Sequence, residues 1–281
     1  MTETILLVTG TSSGIGLATA VAAARHGFTV VGTMRDLGKA SALQAAADAA
    51  GVTLDLQALD VTSPASIEAC LDHIRSAYGR LDALLNNAGS GHLGTVELES
   101  VDDVRAVMEV NFFGVVAVTK AALPLLRESG GRVVTVSSVG GVVGQPFNEA
   151  YCAAKFAVEG FMESLTPVAA TVGVRVSVIE PGAVTTEFVA SVQAQEPPAV
   201  AGTPYEGALH AYLARTAAAF DPSAAQTPEG VAEVIVETLT AAEPPARVQT
   251  SEAARRFAAV KLADLDGAHV QAVTRHWVTT A

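Results

Sequence analysis

The sequence predicts an α/β fold in which helices cover a parallel sheet. Short apolar runs that suit buried strands alternate with longer segments of helical periodicity through residue 180. Half of the residues are hydrophobic but only 5% are aromatic, a balance typical of buried parallel strands packed against alanine-rich helices. At 281 residues the chain can form one large α/β domain, which we expect over residues 1–281.

Charge and cysteine content narrow the classes of function. The net charge of −12 argues against nucleic acid as a partner, because phosphate backbones require a basic surface. Cys70 and Cys152 lack the spacing of metal ligands, so we predict no metal site, and so few cysteines suggest a reducing compartment. Without a recognisable leader, and with no window approaching the roughly 20 apolar residues of a membrane helix, we expect a cytoplasmic protein with no membrane partner.

The first predicted strand (residues 5–8) leads into a glycine-rich turn and then a helix to about residue 26. This order sets backbone N–H groups and a helix N-terminus against a phosphate. Gly10 permits the tight turn, Gly14 allows a pyrophosphate to approach the backbone, and Gly16 allows the helix to pack on the strand. A glycine cluster alone is also compatible with a loop that only requires positive φ.

The second predicted strand (residues 28–34) is followed by Arg35 and Asp36. At this distance from the glycines, an acidic residue would bind the 2′-hydroxyl of a ribose. Arg35 can instead pair with a 2′-phosphate, so NADP(H) is favoured over NAD(H). We interpret Asp36 as the N-cap of the helix that follows.

The third and fourth predicted strands (residues 53–59 and 81–86) also end at candidate binding residues. Asp60 either accepts a hydrogen bond from an adenine amino group or caps the next turn, and both interpretations stay open. After the fourth strand, Asn87, Ala88 and Gly89 would let a cofactor ring lie close to the backbone. Asn86 and Asn87 are predicted to tie adjacent strands together.

A helical pattern over residues 101–128 places Asn111 among apolar residues. A buried asparagine requires hydrogen-bond partners, and Gly114 weakens the helix locally. The interruption is either a packing kink or an exposed carbonyl that holds a water near Lys155, which would be a route for proton resupply.

The fifth predicted strand (residues 132–138) and the next helix carry a hydroxyl, a phenol and an ammonium. Tyr151 and Lys155 are four residues apart in a helix, so both project from one face, and Ser138 ends the strand. The nearby cation is expected to lower the pKa of the phenol toward neutrality, where it can transfer protons. Each residue alone is equally compatible with a structural role.

A sixth predicted strand (residues 174–179) ends just before Pro181 and Gly182. Because the strands alternate with helices, their carboxyl ends should meet at one sheet edge, where ligands bind. Residues 190–228 are interpreted as a helical lid over a substrate pocket, followed by a helix to about residue 241 and a last strand at 247–250. Residues 251–281 are predicted to be a helical extension, in which Trp277 is packed rather than catalytic.

The ordered motifs TGTSSGIG, Asp60, NNAG, Asn111, Ser138, YCAAK and PGAVTT resemble the short-chain dehydrogenase/reductase family. The stretch VSSVGGVVGQPFNEAYCAAKFAVEGFMESL is especially similar to the 17β-hydroxysteroid dehydrogenase type 1 group. The resemblance implies a single doubly wound, Rossmann-like domain with a seven-stranded parallel sheet, and a catalytic tetrad of Asn111, Ser138, Tyr151 and Lys155.

The resemblance also implies where NADP(H) binds. Ser13 and Arg35 would hold the 2′-phosphate, Lys155 would bind the nicotinamide ribose, and Val184 and Thr186 would fix the nicotinamide amide. The cofactor-binding set that we predict is Gly10, Ser12, Ser13, Gly14, Ile15, Gly16, Arg35, Asp60, Val61, Asn87, Ala88, Gly89, Tyr151, Lys155, Pro181, Gly182, Val184 and Thr186. The implied reaction interconverts a ketone and a secondary alcohol by hydride transfer.

The substrate is less well defined by the resemblance. His92 and Gln145 are predicted substrate-binding residues, and they are polar where the steroid enzymes are mostly apolar. A hydroxysteroid, another hydrophobic carbonyl compound, or a smaller polar ketone all fit this description. By analogy alone we expect a homodimer or homotetramer.

Three other classes compete with this interpretation. A non-catalytic dinucleotide sensor would need the glycine turn but not Ser138, Tyr151 and Lys155. A serine hydrolase is disfavoured because no Gly-x-Ser-x-Gly elbow surrounds Ser138. A sugar epimerase or dehydratase would ordinarily have a larger C-terminal substrate domain.

Overall fold

The structure is a computed structural model that describes residues 3–186, 200–221, 223–263 and 269. Seven strands form its centre: β1 Thr4–Thr9, β2 Phe28–Met34, β3 Asp55–Ala58, β4 Ala83–Asn86, β5 Arg132–Val136, β6 Arg175–Glu180 and β7 Arg247–Gln249. They make one sheet in the order β3-β2-β1-β4-β5-β6-β7. Every pairing is parallel, so the predicted seven-stranded, doubly wound sheet is confirmed.

The described helices connect and cover these strands. They are α1 Gly14–Arg25, α2 Ser41–Ala50, α3 Pro64–Tyr78, α4 Val101–Met108, α5 Gly114–Ser129, α6 Glu149–Ala170, α7 Glu206–Ala219, α8 Pro228–Thr240 and α9 Glu252–Leu262. Several begin at residues that favour helix starts. Ser63 caps α3 ahead of Pro64, and Ser100 forms a capping box with Asp103 at the start of α4.

The core has two apolar layers because successive side chains of a strand point to opposite faces of the sheet. In β1, Ile5 and Leu7 pack with residues of α3, α5 and α6, whereas Leu6 and Val8 pack with residues of α1 and α8. Both faces of the sheet are therefore buried, which explains the nearly continuous apolar strands in the sequence.

The predicted helix over residues 101–128 is interrupted. A turn of π-helix, Glu109–Phe113, separates α4 from α5, and Asn111 lies within it, fully buried. At Gly114, a Cβ atom would lie 2.7 Å from Val61 Cγ2, so glycine allows the helix to approach the loop after β3. The interruption therefore coincides with close packing.

The expectation that no window approaches the apolar length of a membrane helix is wrong. The helical stretch Val101–Ser129 is long enough to cross a membrane and contains an 18-residue window with a mean hydropathy of 1.5. In the fold, Val118, Ala122 and Leu126 of this stretch pack into the core beside the sheet. A helix that covers a buried parallel sheet needs the same apolar composition, and this accounts for its hydropathy.

The end of the fifth strand also differs from the sequence prediction. Strand β5 ends at Val136, and Ser138 instead begins a short 3₁₀ turn, Val139–Gly141. In the predicted lid, α7 is a helix, but residues 187–199 and 222 lie outside the described part of the chain, as does Trp277. Helix α9 provides the described portion of the predicted C-terminal extension.

Candidate active site

The glycine turn after β1 packs tightly against its surroundings. Gly10 has φ +73°, and a Cβ atom there would lie 2.8 Å from Ala88 Cα. At Gly16 a Cβ atom would lie 2.1 Å from Gly10 O and 2.3 Å from Asn87 Nδ2. Glycine at these two positions is therefore required by close approach, as predicted for a helix that packs on a strand.

The N-terminus of α1 is suited to an anion. Ser13 is its N-cap but makes no side-chain capping bond, and the first turn contains no acidic residue. Unpaired backbone N–H groups and the helix dipole favour negative charge at such an end. The residues present thus fit the pyrophosphate of a dinucleotide.

Arg35 lies exposed at the end of β2. Asp36 accepts a 2.8 Å hydrogen bond from Gly38 N, so it caps the 3₁₀ turn Leu37–Lys39 and not α2, whose N-cap is Ala40. Asp60 Oδ1 accepts hydrogen bonds from the Thr62 backbone N and Oγ1, and these bonds, with the charge of Arg35, lower the pKa of Asp60. Its capping role is thereby established, while adenine binding stays a prediction.

The predicted strand ties of Asn86 and Asn87 are present. Asn86 Nδ2 donates to Thr119 Oγ1 and Thr135 Oγ1, and Asn87 Nδ2 donates to the carbonyls of Thr9 and Gly10. The backbone N–H groups of Asn87 and Ala88 also donate to Thr9 Oγ1, so both the side chain and the backbone hold this segment beside β1.

Gly89 is the point where the loop after β4 meets two members of the predicted tetrad. A Cβ atom at Gly89 would lie 2.9 Å from Asn111 Oδ1 and 3.7 Å from Lys155 Nζ. Asn111 Nδ2 donates to the carbonyls of Ser90 and Val107, and its Oδ1 accepts from Ser90 N. Asn111 therefore anchors this loop to α4, and its role in a water relay stays a prediction.

Ser138 and Tyr151 are brought together by the loop between β5 and α6. Their side chains are hydrogen-bonded, and Ser138 Oγ also accepts a 3.0 Å bond from Gly140 N. Lys155 Nζ lies 5.9 Å from the centroid of the Tyr151 ring. The three groups predicted to act on one carbonyl thus lie together at the carboxyl edge of the sheet.

The pKa of Tyr151 differs in direction from the sequence expectation. Burial raises it, and the hydrogen bond with Ser138 only partly opposes this effect. The prediction that Lys155 brings the phenol toward ionisation is therefore wrong for this structure, because burial disfavours the charged phenolate. At neutral pH, Tyr151 is a protonated phenol and can donate its proton.

Lys155 is buried, with 5% of its surface exposed. Its Nζ donates a 3.0 Å hydrogen bond to Val136 O. Burial lowers the pKa of Lys155 to about 8, and the nearby Glu159 carboxylate opposes the shift. The charge on this lysine is consequently sensitive to its surroundings near neutral pH.

The segment after β6 reaches the glycine turn. A Cβ atom at Gly14 would lie 3.2 Å from Thr186 Cγ2, and Val184 is buried. Gln226 fixes this segment through backbone bonds with Ala183 and Thr185. Pro181 and Gly182 immediately precede it, so the predicted nicotinamide-binding residues lie at the same edge as the tetrad.

The two predicted substrate-binding residues have different environments. His92 Nε2 is paired with the largely buried carboxylate of Glu99, so this ring nitrogen is already engaged. Gln145 is half-buried, and its Nε2 would lie 3.3 Å from a Cβ atom at Gly140, next to Ser138. Gln145 is therefore the better placed of the two, and substrate binding by either residue stays a prediction.

An apolar cluster that the sequence analysis did not identify lies beside Gln145. Phe147, which has φ +55°, packs against Tyr212 of α7, together with Val200 and Leu209. Asn148 Nδ2 donates a 2.6 Å hydrogen bond to Tyr212 Oη. The contacts attach α7 to the loop between Ser138 and Tyr151.

The two cysteines, Cys70 and Cys152, are buried. Burial raises the pKa of Cys70 to about 12 and that of Cys152 to about 11. Neither thiol is therefore ionised near neutral pH, although Cys152 adjoins Tyr151.

A buried ionic cluster behind Lys155 was also missed. Glu159, Glu180 and Arg247 come from α6, β6 and β7, and both carboxylates are at least 95% buried. Only the spacing of Lys155 and Glu159, four residues apart on one helix, could have signalled it from the sequence.

Comparisons with known proteins agree with this geometry. The profile of the short chain dehydrogenase family matches residues 4–197. Human retinol dehydrogenase 8 is 41% identical over 272 residues, covering 93% of this chain and 86% of that protein. Human 17-beta-hydroxysteroid dehydrogenase type 1 is 38% identical over 278 residues, covering 96% and 84%. A variant of actinorhodin polyketide ketoreductase solved with NADPH superimposes with a TM-score of 0.72 at 29% identity, covering 88% and 95%.

Proposed function

Because this chain belongs to the short-chain dehydrogenase family and is thus an oxidoreductase of CH–OH and C=O groups, we propose that it uses NADP(H) to interconvert a ketone and a secondary alcohol. The observation that carries the proposal is the hydrogen-bonded pair of Ser138 and Tyr151, with Lys155 one turn further along α6. A dinucleotide sensor would not need this arrangement.

The cofactor would lie along the carboxyl edge of the sheet. The glycine turn with Ser12 and Ile15 would hold the pyrophosphate, Ser13 would contact the 2′-phosphate, and Asp60 with Val61 would contact the adenine. Val184 and Thr186 would hold the nicotinamide amide beside Asn87, Ala88 and Gly89. Arg35 supports NADP(H), because its exposed guanidinium ends β2 where a 2′-phosphate would lie.

In the reductive direction, bound NADPH supplies the hydride that the carbonyl carbon accepts. The Ser138 hydroxyl donates a hydrogen bond to the carbonyl oxygen and holds it next to Tyr151. Tyr151 then transfers its phenolic proton to that oxygen, which yields the alcohol. Burial raises the pKa of Tyr151, so the phenol carries a proton at neutral pH that it can give to the substrate oxygen.

Lys155 and Asn111 support the proton transfer. The Lys155 ammonium would stabilise the phenolate that Tyr151 becomes and would bind the nicotinamide ribose. Asn111 would hold the loop of Gly89 and Ser90 in place and position the water that resupplies the proton. General acid catalysis is worth about 10²- to 10⁴-fold, so much of the acceleration must come from orientation.

We place the substrate among hydrophobic carbonyl compounds such as ketosteroids or retinoids. The names of the retinol and hydroxysteroid dehydrogenases that resemble this chain support this class. The apolar cluster of Phe147, Leu209 and Tyr212 beside the catalytic loop also supports it. Gln145 would provide a polar contact at the end of such a substrate.

The proposal is tested by following NADPH and NADH absorbance with a panel of a ketosteroid, retinaldehyde and a small polar ketone. We expect carbonyl-dependent oxidation with a higher kcat/KM for NADPH and for the hydrophobic substrates. Preference for the small ketone would overturn the substrate class. NADPH binding without turnover on any carbonyl would indicate a sensor.

We also expect assembly into a homodimer or homotetramer. Phe113 and Phe156 are large apolar side chains exposed at 49% and 39%, on the π-helical turn and on α6. Exposed aromatic residues on adjacent helices favour an interface between copies. Light scattering coupled to gel filtration would give the mass, and a monomer would contradict this expectation.

A further inference from the structure

Glu159 lies one turn after Lys155 in α6, and each side chain is 5% exposed. The 3₁₀ turn Val139–Gly141 packs closely against this part of the helix. A Cβ atom at Gly141 would lie 3.0 Å from Glu159 Cγ and 2.6 Å from Ser137 Oγ. The Glu159 carboxylate is thus enclosed beneath the loop that carries Ser138.

Arg247 connects this carboxylate to the edge of the sheet. Its Nε lies 2.7 Å from Glu180 Oε1 and 3.4 Å from Glu159 Oε2, and it also contacts the exposed Glu163. Gln249 Nε2 donates a 2.9 Å bond to Glu180 Oε2. Within the described part of the chain, neither oxygen of Glu159 has a hydrogen-bond partner.

The charges in this cluster do not balance without Lys155. When both are ionised, the buried carboxylates of Glu159 and Glu180 share one guanidinium, that of Arg247, which leaves one negative charge among buried groups. An uncompensated buried charge is unfavourable, and Lys155 on the same face of α6 supplies the second positive charge. The attraction is mutual, so the carboxylate also favours the charged form of the lysine.

We propose that Glu159 is a positioning residue that holds the positive charge on Lys155, and that Arg247, itself held by Glu180, keeps the Glu159 carboxylate in place. The inference rests on the proposed function only for the use of Lys155 in catalysis. The charged groups facing Glu159 are Lys155 and Glu163 from α6, Glu180 from β6 and Arg247 from β7. Ser137 at the end of β5 adds a neutral hydroxyl.

The test is a direct titration of Lys155 in the full chain. The sequence has four lysines, Lys39, Lys120, Lys155 and Lys261, and the other three are exposed. NMR of lysine labelled with ¹³C at Cε would therefore follow Lys155 as the one with a depressed pKa, assigned with Lys155→Met. We expect Glu159→Gln to lower the Lys155 pKa by about one unit.

Glu163→Gln is the matched control, because Glu163 also contacts Arg247 but is 74% exposed at its side chain. This variant should leave the Lys155 titration unchanged. An unchanged Lys155 pKa in folded Glu159→Gln would overturn the proposal. If that variant does not fold, Glu159→Asp replaces it, because aspartate moves the charge away by one methylene. Glu159→Asp must lower the Lys155 pKa by a smaller amount. No change in that pKa would overturn the proposal as well.

Activity provides the second readout. With Lys155 less readily charged, the alkaline limb of kcat/KM should move to lower pH in Glu159→Gln, whereas a merely structural Glu159 would change stability without moving that limb. If Glu159→Gln alters the NMR pKa of Lys155 but does not move the alkaline limb of kcat/KM, Lys155 is not used in catalysis as proposed. The NMR result thus separates failure of this inference from failure of the proposed function.

Discussion

The side chains of Ser138 and Tyr151 are hydrogen-bonded to each other at the carboxyl edge of the sheet, although a loop and the first turn of α6 separate them in the chain. The bond requires β5 to end at Val136, because Ser138 can then begin the 3₁₀ turn that directs its hydroxyl toward the helix. Carbonyl reduction needs the substrate oxygen to lie within reach of both groups, so that Ser138 can donate a hydrogen bond to it and Tyr151 can donate a proton.

Ser138→Ala should lower kcat/KM by about 10²-fold, because a donor to the developing alkoxide is lost. NADPH affinity, measured by fluorescence, should stay near that of the wild type. Ser100→Ala is the matched control, since Ser100 caps α4 away from the proposed site and should change stability rather than turnover. Equal activity of Ser138→Ala and wild type would contradict the assigned role.

Arg35→Asp should shift cofactor preference from NADPH toward NADH. A carboxylate at this position repels a 2′-phosphate and can accept a bond from a 2′-hydroxyl. We expect the ratio of kcat/KM for the two cofactors to change by at least about 10²-fold, the effect of losing a charged contact and gaining a repulsion. Arg25→Asp, an exposed change in the last turn of α1, serves as the control. An unchanged ratio in Arg35→Asp would mean that the phosphate is bound elsewhere.

Gly16→Ala should destabilise the fold and abolish NADPH binding. The added Cβ would lie 2.1 Å from the carbonyl of Gly10, so the glycine turn must move. The loss in unfolding free energy should be about 1–3 kcal/mol, as for other overpacked sites. Gly160→Ala in α6 is the matched control, because its Cβ meets nothing within 4 Å, and it should stabilise by about 0.5–1 kcal/mol. Urea denaturation would measure both, and wild-type stability of Gly16→Ala would be inconsistent with this packing.

The pH dependence of stability should reflect Glu159. Burial raises its pKa to about 7 from a reference near 4.5, so the folded state binds a proton more tightly than the unfolded state. The resulting stabilisation is complete below pH 4.5 and is lost as pH rises toward 7.

In Glu159→Gln, the decline of unfolding free energy over this window should be smaller by on the order of 2 kcal/mol. Glu180 has a pKa raised in the same direction and should leave a residual slope. Glu163→Gln should retain the wild-type slope. Urea denaturation at pH 4.5, 6 and 7.5 would measure the free energy of unfolding of each variant. The same pH dependence in wild type and Glu159→Gln would contradict the role of Glu159.

Much of the fold follows from local sequence signals. The alternation of apolar runs and helical segments predicts the parallel sheet, and the glycine spacing predicts the close packing that Gly16 makes against Gly10. The position of Ser138, Tyr151 and Lys155 at one edge follows from the same alternation, since the carboxyl ends of parallel strands coincide.

The remaining features depend on contacts between distant segments. Glu180 and Arg247 meet only because β6 and β7 are neighbours, and no local pattern reports that pairing. The pairing of His92 with Glu99 and the π-helical turn at Asn111 likewise depend on packing. The direction of the Tyr151 pKa was mispredicted because the spacing to Lys155 is visible in the sequence whereas the burial of the phenol is not.

The central claim is that Tyr151 donates the proton when a carbonyl is reduced by NADPH. The most direct measurement compares wild type and Tyr151→Phe with the best ketone of the panel, with NADPH binding followed by fluorescence in the same samples. We predict that the variant binds NADPH normally and loses at least about 10³-fold in turnover, within the range of general acid catalysis. Normal turnover by Tyr151→Phe would contradict the assignment of Tyr151 as the acid.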